Sequence, residues 1–157
     1  MKSEKIISTS LLVSRLAREK KRRKTIVFTN GVYDLIHAGH VTLLEKAKRL
    51  GDVLVVGINS DSSVRRLKGP KRPIAGQSDR AHVLAALEAV DYVALFGEDT
   101  PHELIAKLKP DILVKGGDYS TDQIVGRDLV KKVVRIPLVK GRSSSNIIAK
   151  IVKAYGR

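Results

Sequence analysis

Short apolar runs alternate along this chain with segments in which apolar residues recur every three or four positions. The short runs predict strands, because they are brief, rich in β-branched residues and bounded by turn-forming residues. The run at 53–59 is apolar almost throughout, which is typical of a strand covered on both faces. The predicted strands lie at 25–29, 53–59, 92–96, 112–115 and 133–136.

The segments between the strands have helical spacing. Leu11, Leu12 and Leu16 predict a helix before the first strand. Capping-box patterns at 100–103, with Pro101 at the first helical position, and at 120–123 predict two helix starts. Further helices are predicted at 39–50, 62–67 and 78–88, and after 143. The buried face of the helix at 39–50 is marked by Leu43, Leu44, Ala47 and Leu50.

This alternation predicts a single α/β domain, doubly wound and Rossmann-like, with a five-stranded, mainly parallel sheet. A chain of 157 residues fits one such domain. We expect a basic N-terminal helical extension at 1–24 and the main domain at 25–157. In sheets of this kind ligands lie beyond the carboxyl ends of the strands. The polar stretches at those ends are 29–40, 59–68, 115–119 and 140–145.

The amino-acid composition limits the classes of protein to which this chain can belong. The chain has no cysteine, which excludes disulfides and thiolate metal sites. No segment reaches the roughly 18 apolar residues that span a bilayer, and the charged N-terminus is unlike a secretory signal, so we expect a cytoplasmic protein without membrane attachment. A homo-oligomer is compatible with the sequence.

The net charge of +14 favours anionic ligands, and residues 1–24 supply half of it, with nine basic and two acidic residues. Nucleic acid, nucleotides, phosphorylated metabolites and anionic membranes all fit a basic protein. Aromatic residues are only 4% of the chain, and it has no recognisable RNA-binding or helix-turn-helix signature. We therefore do not expect nucleic acid to be the main ligand.

The strongest chemical signal follows the first strand. Residues 29–40 read Thr-Asn-Gly-Val-Tyr-Asp-Leu-Ile-His-Ala-Gly-His and open a helix. His37 and His40 are three positions apart and can share one helical face, with Cβ atoms roughly 5–6 Å apart. Two imidazole donors at a helix N-terminus suit a phosphate that gains charge in a transition state. Two alternatives stay open: histidines that only cap the helix or face solvent, and a metal site formed by Asp34, His37 and His40.

Other polar residues at the strand ends are candidates for binding. The loop 65–72 has five cations and no acid, which fits either a mobile loop that closes over phosphates or a solvated surface. Gly116 and Gly117 allow a purine to lie against the backbone. The serines of 143–145 either bind phosphate or ribose or simply cap the last helix. Asn59 and Asp61 are candidates for sugar hydroxyls, whereas Asp34 either binds them too or braces its loop.

The segment His37-Ala38-Gly39-His40 resembles the HxGH signature of the cytidylyltransferase-like nucleotidyltransferases. The similarity continues through 57–61, 67–70, 79–80, 114–119 and 141–145 and covers about residues 25–150. These segments together resemble the D-glycero-β-D-manno-heptose 1-phosphate adenylyltransferases, which make ADP-heptose for lipopolysaccharide. Many of those enzymes are fused to a sugar kinase domain, and the length of this chain predicts a stand-alone transferase.

The resemblance implies transfer of AMP from ATP to a sugar 1-phosphate, with release of pyrophosphate. The implied cofactor is Mg²⁺ held mainly by the triphosphate, without protein ligands. A related alternative is a cytidylyltransferase acting on glycerol 3-phosphate or a similar small phosphoester.

The implied catalytic residues are His37, His40 and Lys68. Besides the two histidines, the implied nucleotide-binding residues are Thr29, Asn30, Gly31, Gly116, Gly117, Asp118, Ser143, Ser144 and Ser145. The implied substrate-binding residues are Asp34, Asn59, Asp61, Lys68 and Arg80.

Overall fold

The computed structural model describes residues 3–117 and 120–156. Its strands are β1 (Ile26–Gly31), β2 (Val53–Asn59), β3 (Tyr92–Phe96), β4 (Ile112–Gly116) and β5 (Lys132–Ile136). Its α-helices are α1 (Thr9–Lys21), α2 (Ala38–Lys48), α3 (Asp61–Lys68), α4 (Gln77–Ala86), α5 (His102–Leu108) and α6 (Ser144–Tyr155). Two single 3₁₀ turns lie between β4 and β5, at Thr121–Gln123 and Arg127–Leu129.

The strands form one sheet in the order β3-β2-β1-β4-β5, and all four strand pairs are parallel. This confirms the predicted doubly wound fold. From β1 the chain first builds outward through β2 and β3, and it later returns to the other side of β1 to form β4. The strand order therefore reverses between β1 and β4, which is where open α/β sheets bind their ligands.

Two apolar clusters cover the two faces of the sheet. Along β1 and β2 alternate residues point to opposite faces, so Val27 and Leu54 belong to one cluster and Phe28 and Val55 to the other. Helices α2 and α4 pack on the first face, and α1 and α5 on the second. Because both faces are covered, every residue of β2 is buried, as the continuous apolar run predicted.

The N-terminal extension packs on the same sheet as the rest of the chain. Leu12 and Leu16 of α1 are fully buried in the second cluster. Before the helix, Ile6 forms a parallel bridge with Val93 of β3. At its other end, the Lys20 ammonium donates to the backbone carbonyls of Leu108 and Lys109, which are free acceptors where α5 ends.

The capping patterns at two helix starts were predicted wrongly. Helix α5 begins at His102 rather than Pro101, and no side chain caps it. Pro101 itself occupies the cap position with φ −80° and ψ 8°, whereas a capping residue normally has extended backbone. Ser120 is extended but also makes no capping bond, and the short helix after it is a single 3₁₀ turn.

Within the described part of the chain, no helix is both long enough and apolar enough to cross a membrane.

Candidate active site

A cleft of about 500 Å³ opens at the carboxyl ends of β1, β2 and β4. It lies at the reversal of strand order, as expected for this fold. The cleft brings together predicted binding residues that are far apart in sequence, namely Thr29, Asn30, Gly31, Asn59, Lys68 and Gly116. His40 also lines this cleft.

The two histidines form a reciprocal cap at the start of α2. His37 is the N-cap residue, and its Nδ1 accepts a hydrogen bond from the Gly39 N–H at 3.1 Å. His40 Nδ1 accepts the His37 N–H at 3.3 Å. Their rings stack with centroids 4.0 Å apart and an angle of 29° between the ring planes. The capping alternative from the sequence is therefore realised, and it is compatible with binding because it uses only the Nδ1 atoms.

This arrangement fixes the tautomer of both rings. Because each Nδ1 accepts a backbone N–H, the proton of the neutral imidazole is on Nε2, which is left as a donor. Burial, with a smaller contribution from the charge of His37, lowers the pKa of His40 to about 4. Burial, together with the nearby Arg142 guanidinium, also lowers the pKa of His37. At neutral pH both rings are thus neutral N–H donors.

Gly39 makes the stacking of the two rings possible. A Cβ at this position would lie 2.9 Å from both Cε1 and Nδ1 of His37. A side chain at residue 39 would therefore push the His37 ring out of the stack. This explains in steric terms why glycine stands between the two histidines.

A second cleft, of about 390 Å³, lies at the N-terminus of α6. Its lining includes His37 and three cationic side chains, those of Lys140, Arg142 and Lys150. Since His40 lines the first cleft and His37 the second, the stacked pair lies at the boundary between them. A helix N-terminus with three cations is suited to bind a polyphosphate.

The three serines before and within α6 have different positions. Ser143 lines the second cleft and caps α6, its Oγ accepting the Asn146 N–H at 3.1 Å. Ser144 donates to the Leu35 carbonyl at 3.1 Å and so connects α6 to the loop between β1 and α2. Ser145 is exposed.

The basic loop 65–72 contacts the rest of the protein at two points. Arg66 donates to Asp99 and to the Gly97 carbonyl. Arg72 forms a 2.6 Å ion pair with Asp34. Lys68, at the end of α3, is exposed and lines the first cleft, so its predicted role fits its position.

Asp34 braces this loop. Its carboxylate is buried and accepts the backbone N–H groups of Ile74 and Ala75 at 2.8 Å, besides the bond from Arg72. Burial alone would raise the pKa of Asp34, but these three donors outweigh it, and the pKa is lowered. Of the two roles considered for Asp34, the structure favours the brace. Among the described residues, no three histidine or acidic side chains are grouped so as to hold a metal, so the suggested site of Asp34, His37 and His40 is not formed.

Arg80 is placed inside the protein, contrary to the substrate-binding role expected from the sequence. Its side chain is completely buried. The guanidinium donates to the Val32, Asn59 and Ala75 carbonyls and to Asp61 Oδ1. With four of its five donor hydrogens used, Arg80 holds the ends of β1 and β2 together and positions the cleft instead of contacting a ligand. Asp61 is committed to the same ion pair, at 2.7 Å.

The remaining predicted residues lie around β4. Gly116 lines the first cleft, and Gly117 has φ 107°, a conformation that favours glycine. Gly117 also donates to the Ile136 carbonyl at 3.0 Å, which connects it to β5. Asp118 lies outside the described residues. Asn59 lines the first cleft, with its amide donating to Ser63 at 3.0 Å.

Two residues of the cleft were missed by the sequence reasoning. Tyr33 has φ 50°, and its ring centroid lies 5.2 Å from that of His40. Burial raises the pKa of Tyr33 to about 12, so its hydroxyl stays protonated. Lys115 projects from β4 into the cleft and donates to the Asn30 amide oxygen at 3.2 Å. The signal for it was a single lysine in an otherwise apolar strand.

Residues 28–153 match the family described as cytidylyltransferase-like. The chain belongs to the cytidylyltransferase-like family. This confirms the resemblance drawn from the histidine motif, and the match spans the sheet, the stacked histidines and both clefts.

Relatives of this cytidylyltransferase-like chain include larger proteins. It is 59% identical over 141 residues to the bifunctional protein HldE of Syntrophotalea carbinolica, covering 87% of this chain and 29% of that protein. It is 54% identical over 156 residues to the bifunctional protein HldE of Geobacter sulfurreducens, covering 97% of this chain and 32% of that protein. The chain thus spans about a third of the length of these relatives.

Solved structures share the fold of this cytidylyltransferase-like chain. A lipopolysaccharide core biosynthesis protein from Thermoplasma volcanium superposes with a TM-score of 0.65 at 31% identity, covering 74% of this chain and 99% of that one. Pantothenate synthetase from Thermus thermophilus superposes with a TM-score of 0.61 at 18% identity, covering 91% of this chain and 67% of that one. The second likeness concerns the fold alone.

Proposed function

We propose that this chain is a nucleotidyltransferase that joins AMP from ATP to D-glycero-β-D-manno-heptose 1-phosphate, giving ADP-heptose and pyrophosphate. The observation that carries the proposal is the stacked pair of His37 and His40, two neutral N–H donors at the boundary of two clefts. Such a boundary is where two phosphorylated substrates can meet.

The reaction is an in-line displacement. An oxygen of the sugar 1-phosphate attacks the α-phosphorus of ATP and forms the new P–O bond with its lone pair. The bond from the α-phosphorus to the bridging oxygen breaks, and that electron pair leaves with pyrophosphate. No protein nucleophile is needed, so the protein contributes position and charge stabilisation. The Nε2–H groups of His37 and His40 are the donors for the α-phosphate as its charge grows.

The second cleft fits the donor triphosphate. Lys140, Arg142 and Lys150 supply positive charge around the start of α6, where free backbone N–H groups and the helix dipole favour phosphate. His37 lines the same cleft and places one of the two imidazoles beside it. The β- and γ-phosphates bind at α6, and the α-phosphate lies against the stacked rings.

Mg²⁺ fits this site as an ion that arrives with ATP. Among residues 3–117 and 120–156, no three histidine or acidic side chains group together to hold a metal. Asp99, an acid that lines the first cleft, is paired with Arg66 at 2.7 Å. When bound, the ion would be held mainly by triphosphate oxygens and would supply positive charge beside the leaving pyrophosphate.

The choice of sugar rests on the relatives. The similarity to the heptose 1-phosphate adenylyltransferases covers both clefts, and the Thermoplasma volcanium protein is named for lipopolysaccharide core biosynthesis. Identity of 54–59% to the bifunctional HldE proteins over nearly all of this chain supports a shared reaction.

A pyrophosphate-release assay tests the proposal. The four ribonucleoside triphosphates are crossed with heptose 1-phosphate, glycerol 3-phosphate and phosphoethanolamine, each with Mg²⁺. We expect the highest kcat/KM with ATP and heptose 1-phosphate. Preference for CTP with glycerol 3-phosphate or phosphoethanolamine would replace this function by that of a cytidylyltransferase for small phosphoesters, and absence of release with every pair would reject both.

A further inference from the structure

Lys115 carries a positive charge that few nearby groups of the protein neutralise. It lies on β4, next to β1 at the reversal of strand order, and its ammonium faces the 500 Å³ cleft. Within the described residues, its hydrogen-bond partner is the neutral Asn30 amide, at 3.2 Å, and no carboxylate forms an ion pair with it. Burial lowers the pKa of Lys115.

The charged groups around this cleft leave room for an anion. His40 is neutral at neutral pH, and Lys68 is a second cation at the rim. Asp99 also lines the cleft, but its carboxylate is bound by Arg66. A partly buried cation in such surroundings gains most from a ligand that brings negative charge.

The geometry of the displacement indicates which substrate phosphate lies beside Lys115. This part of the inference rests on the proposed function. In an in-line reaction the attacking and leaving oxygens are on opposite sides of the α-phosphorus. With the leaving pyrophosphate at α6, beside His37, the attacking oxygen comes from the opposite side, where His40 and Lys115 line the other cleft.

We propose that Lys115 binds the phosphate of the acceptor sugar and, together with Lys68, selects phosphorylated over neutral sugars. The ammonium holds the phosphate that carries the attacking oxygen, whereas the triphosphate is held by Lys140, Arg142 and Lys150. The two substrates are thus held by different cations on the two sides of the stacked histidines.

Steady-state kinetics of Lys115 variants test this role. In Lys115→Met, which keeps the length of the side chain but not its charge, the KM for heptose 1-phosphate should rise by about tenfold or more, since charge-assisted bonds to phosphate are strong. The KM for ATP should change by less than about threefold, because the triphosphate is held elsewhere. Lys115→Arg should recover part of the loss. Lys107→Met, on the outer surface of α5, should match the wild type in both constants.

Other results would overturn the assignment. Equal increases in both KM values would place Lys115 on the triphosphate or in a general structural role. A lower melting temperature of Lys115→Met with unchanged KM values would leave it only as a brace for Asn30. Because Lys115→Arg keeps the positive charge, it tests the role of Lys115 even if Lys115→Met folds poorly.

A binding measurement separates this inference from the proposed function. Inorganic phosphate is titrated against thermal melting at constant ionic strength, in an Arg142→Met background that weakens the α6 cleft. We expect phosphate to stabilise Arg142→Met more than Arg142→Met/Lys115→Met, whichever sugar phosphate the enzyme uses. If the wild type fails to turn over heptose 1-phosphate while this difference persists, the proposed function falls and the phosphate site remains. If turnover is normal and neither the KM values nor the phosphate titration depend on residue 115, the inference alone falls.

Discussion

The backbone N–H of His37 donates to Nδ1 of His40, so the bond that caps helix α2 also fixes the proton of His40 on Nε2. The cap of His37 onto the Gly39 N–H does the same for the other ring. Local folding of one helical turn is therefore enough to orient both donors. The chemistry proposed for the boundary of the two clefts depends on this turn remaining intact.

Replacing His40 by alanine should reduce kcat by a factor of roughly 10² to 10³, the usual effect of removing a donor to transition-state charge. The fold should persist, with a loss of about 1 kcal/mol because the capping interaction disappears. Pyrophosphate release and urea denaturation measure the two effects.

His82, which is exposed on α4, provides the matched control for that substitution. His82→Ala should leave kcat and stability unchanged. Near-normal turnover of a folded His40→Ala variant would contradict the assigned role.

Acid should destabilise the protein partly through His40. Its pKa is about 4 in the folded protein, below the value of about 6.5 for an unfolded histidine. The unfolded state therefore binds more protons between these two values, so the stabilising contribution is complete above about pH 6.5 and is lost as the pH falls through about 4. Urea denaturation of the wild type and of His40→Ala at a series of pH values checks this.

The free-energy difference between those two proteins should be constant near neutral pH and should shrink on acidification. Parallel stability curves over the whole pH range would show that His40 is not buried as a neutral base. Groups that do not interact with His40 affect both proteins alike and cancel in the difference, whereas His37, which stacks on His40, does not cancel.

Most of the fold and part of the site could be predicted because their signals are local. The strand β2 is a continuous apolar run, and its bounds were predicted correctly from the sequence. The histidine pair lies within four residues, so its position at a helix start follows from sequence spacing alone.

The misplaced and missed residues depend on contacts distant in sequence. Arg80 was predicted to bind substrate, but its acceptors include the Val32 and Asn59 carbonyls, 48 and 21 positions away. A buried arginine and a substrate-binding arginine look alike in a sequence, since only the tertiary fold shows which acceptors surround it. The position of Lys115 in the cleft was missed for a similar reason, because its hydrogen-bond partner Asn30 lies on another strand.

Arg80 should contribute strongly to stability. Arg80→Lys keeps the charge but cannot reach four acceptors at once, which leaves buried carbonyls without donors. We expect a loss of about 2–4 kcal/mol in the free energy of unfolding, measured by urea denaturation.

Arg49, exposed at the end of α2, gives the control. Arg49→Lys should change the free energy of unfolding by less than about 0.5 kcal/mol. If Arg80→Lys were equally harmless while the KM for the sugar phosphate rose, Arg80 would contact the ligand after all.

Lys68 and Lys71 offer a matched pair within the basic loop, since both are exposed but only Lys68 lines the first cleft. Lys68→Ala should lower kcat/KM for the phosphorylated substrates by about tenfold or more, because a charge-assisted contact is lost. Its melting temperature should stay close to that of the wild type. Lys71→Ala should change neither quantity, and equal effects of the two substitutions on kcat/KM would show that the loop acts only through its net charge.

Gly39→Ala separates the geometry of the histidine pair from the stability of the fold. The added Cβ would lie 2.9 Å from the His37 ring, so the ring must leave the stack, and kcat should fall by about tenfold or more. Stability should change little, because the helix preference of alanine over glycine, up to about 1 kcal/mol, offsets the loss of the His37 cap on the residue 39 N–H. Gly76→Ala is the control, since there the nearest atom, an oxygen of Asp61, is 3.8 Å away and kcat should be unchanged. Paired assays of pyrophosphate release and thermal melting give both readings. If Gly39→Ala retained full kcat, the stacked arrangement of the two rings would not be required for the reaction.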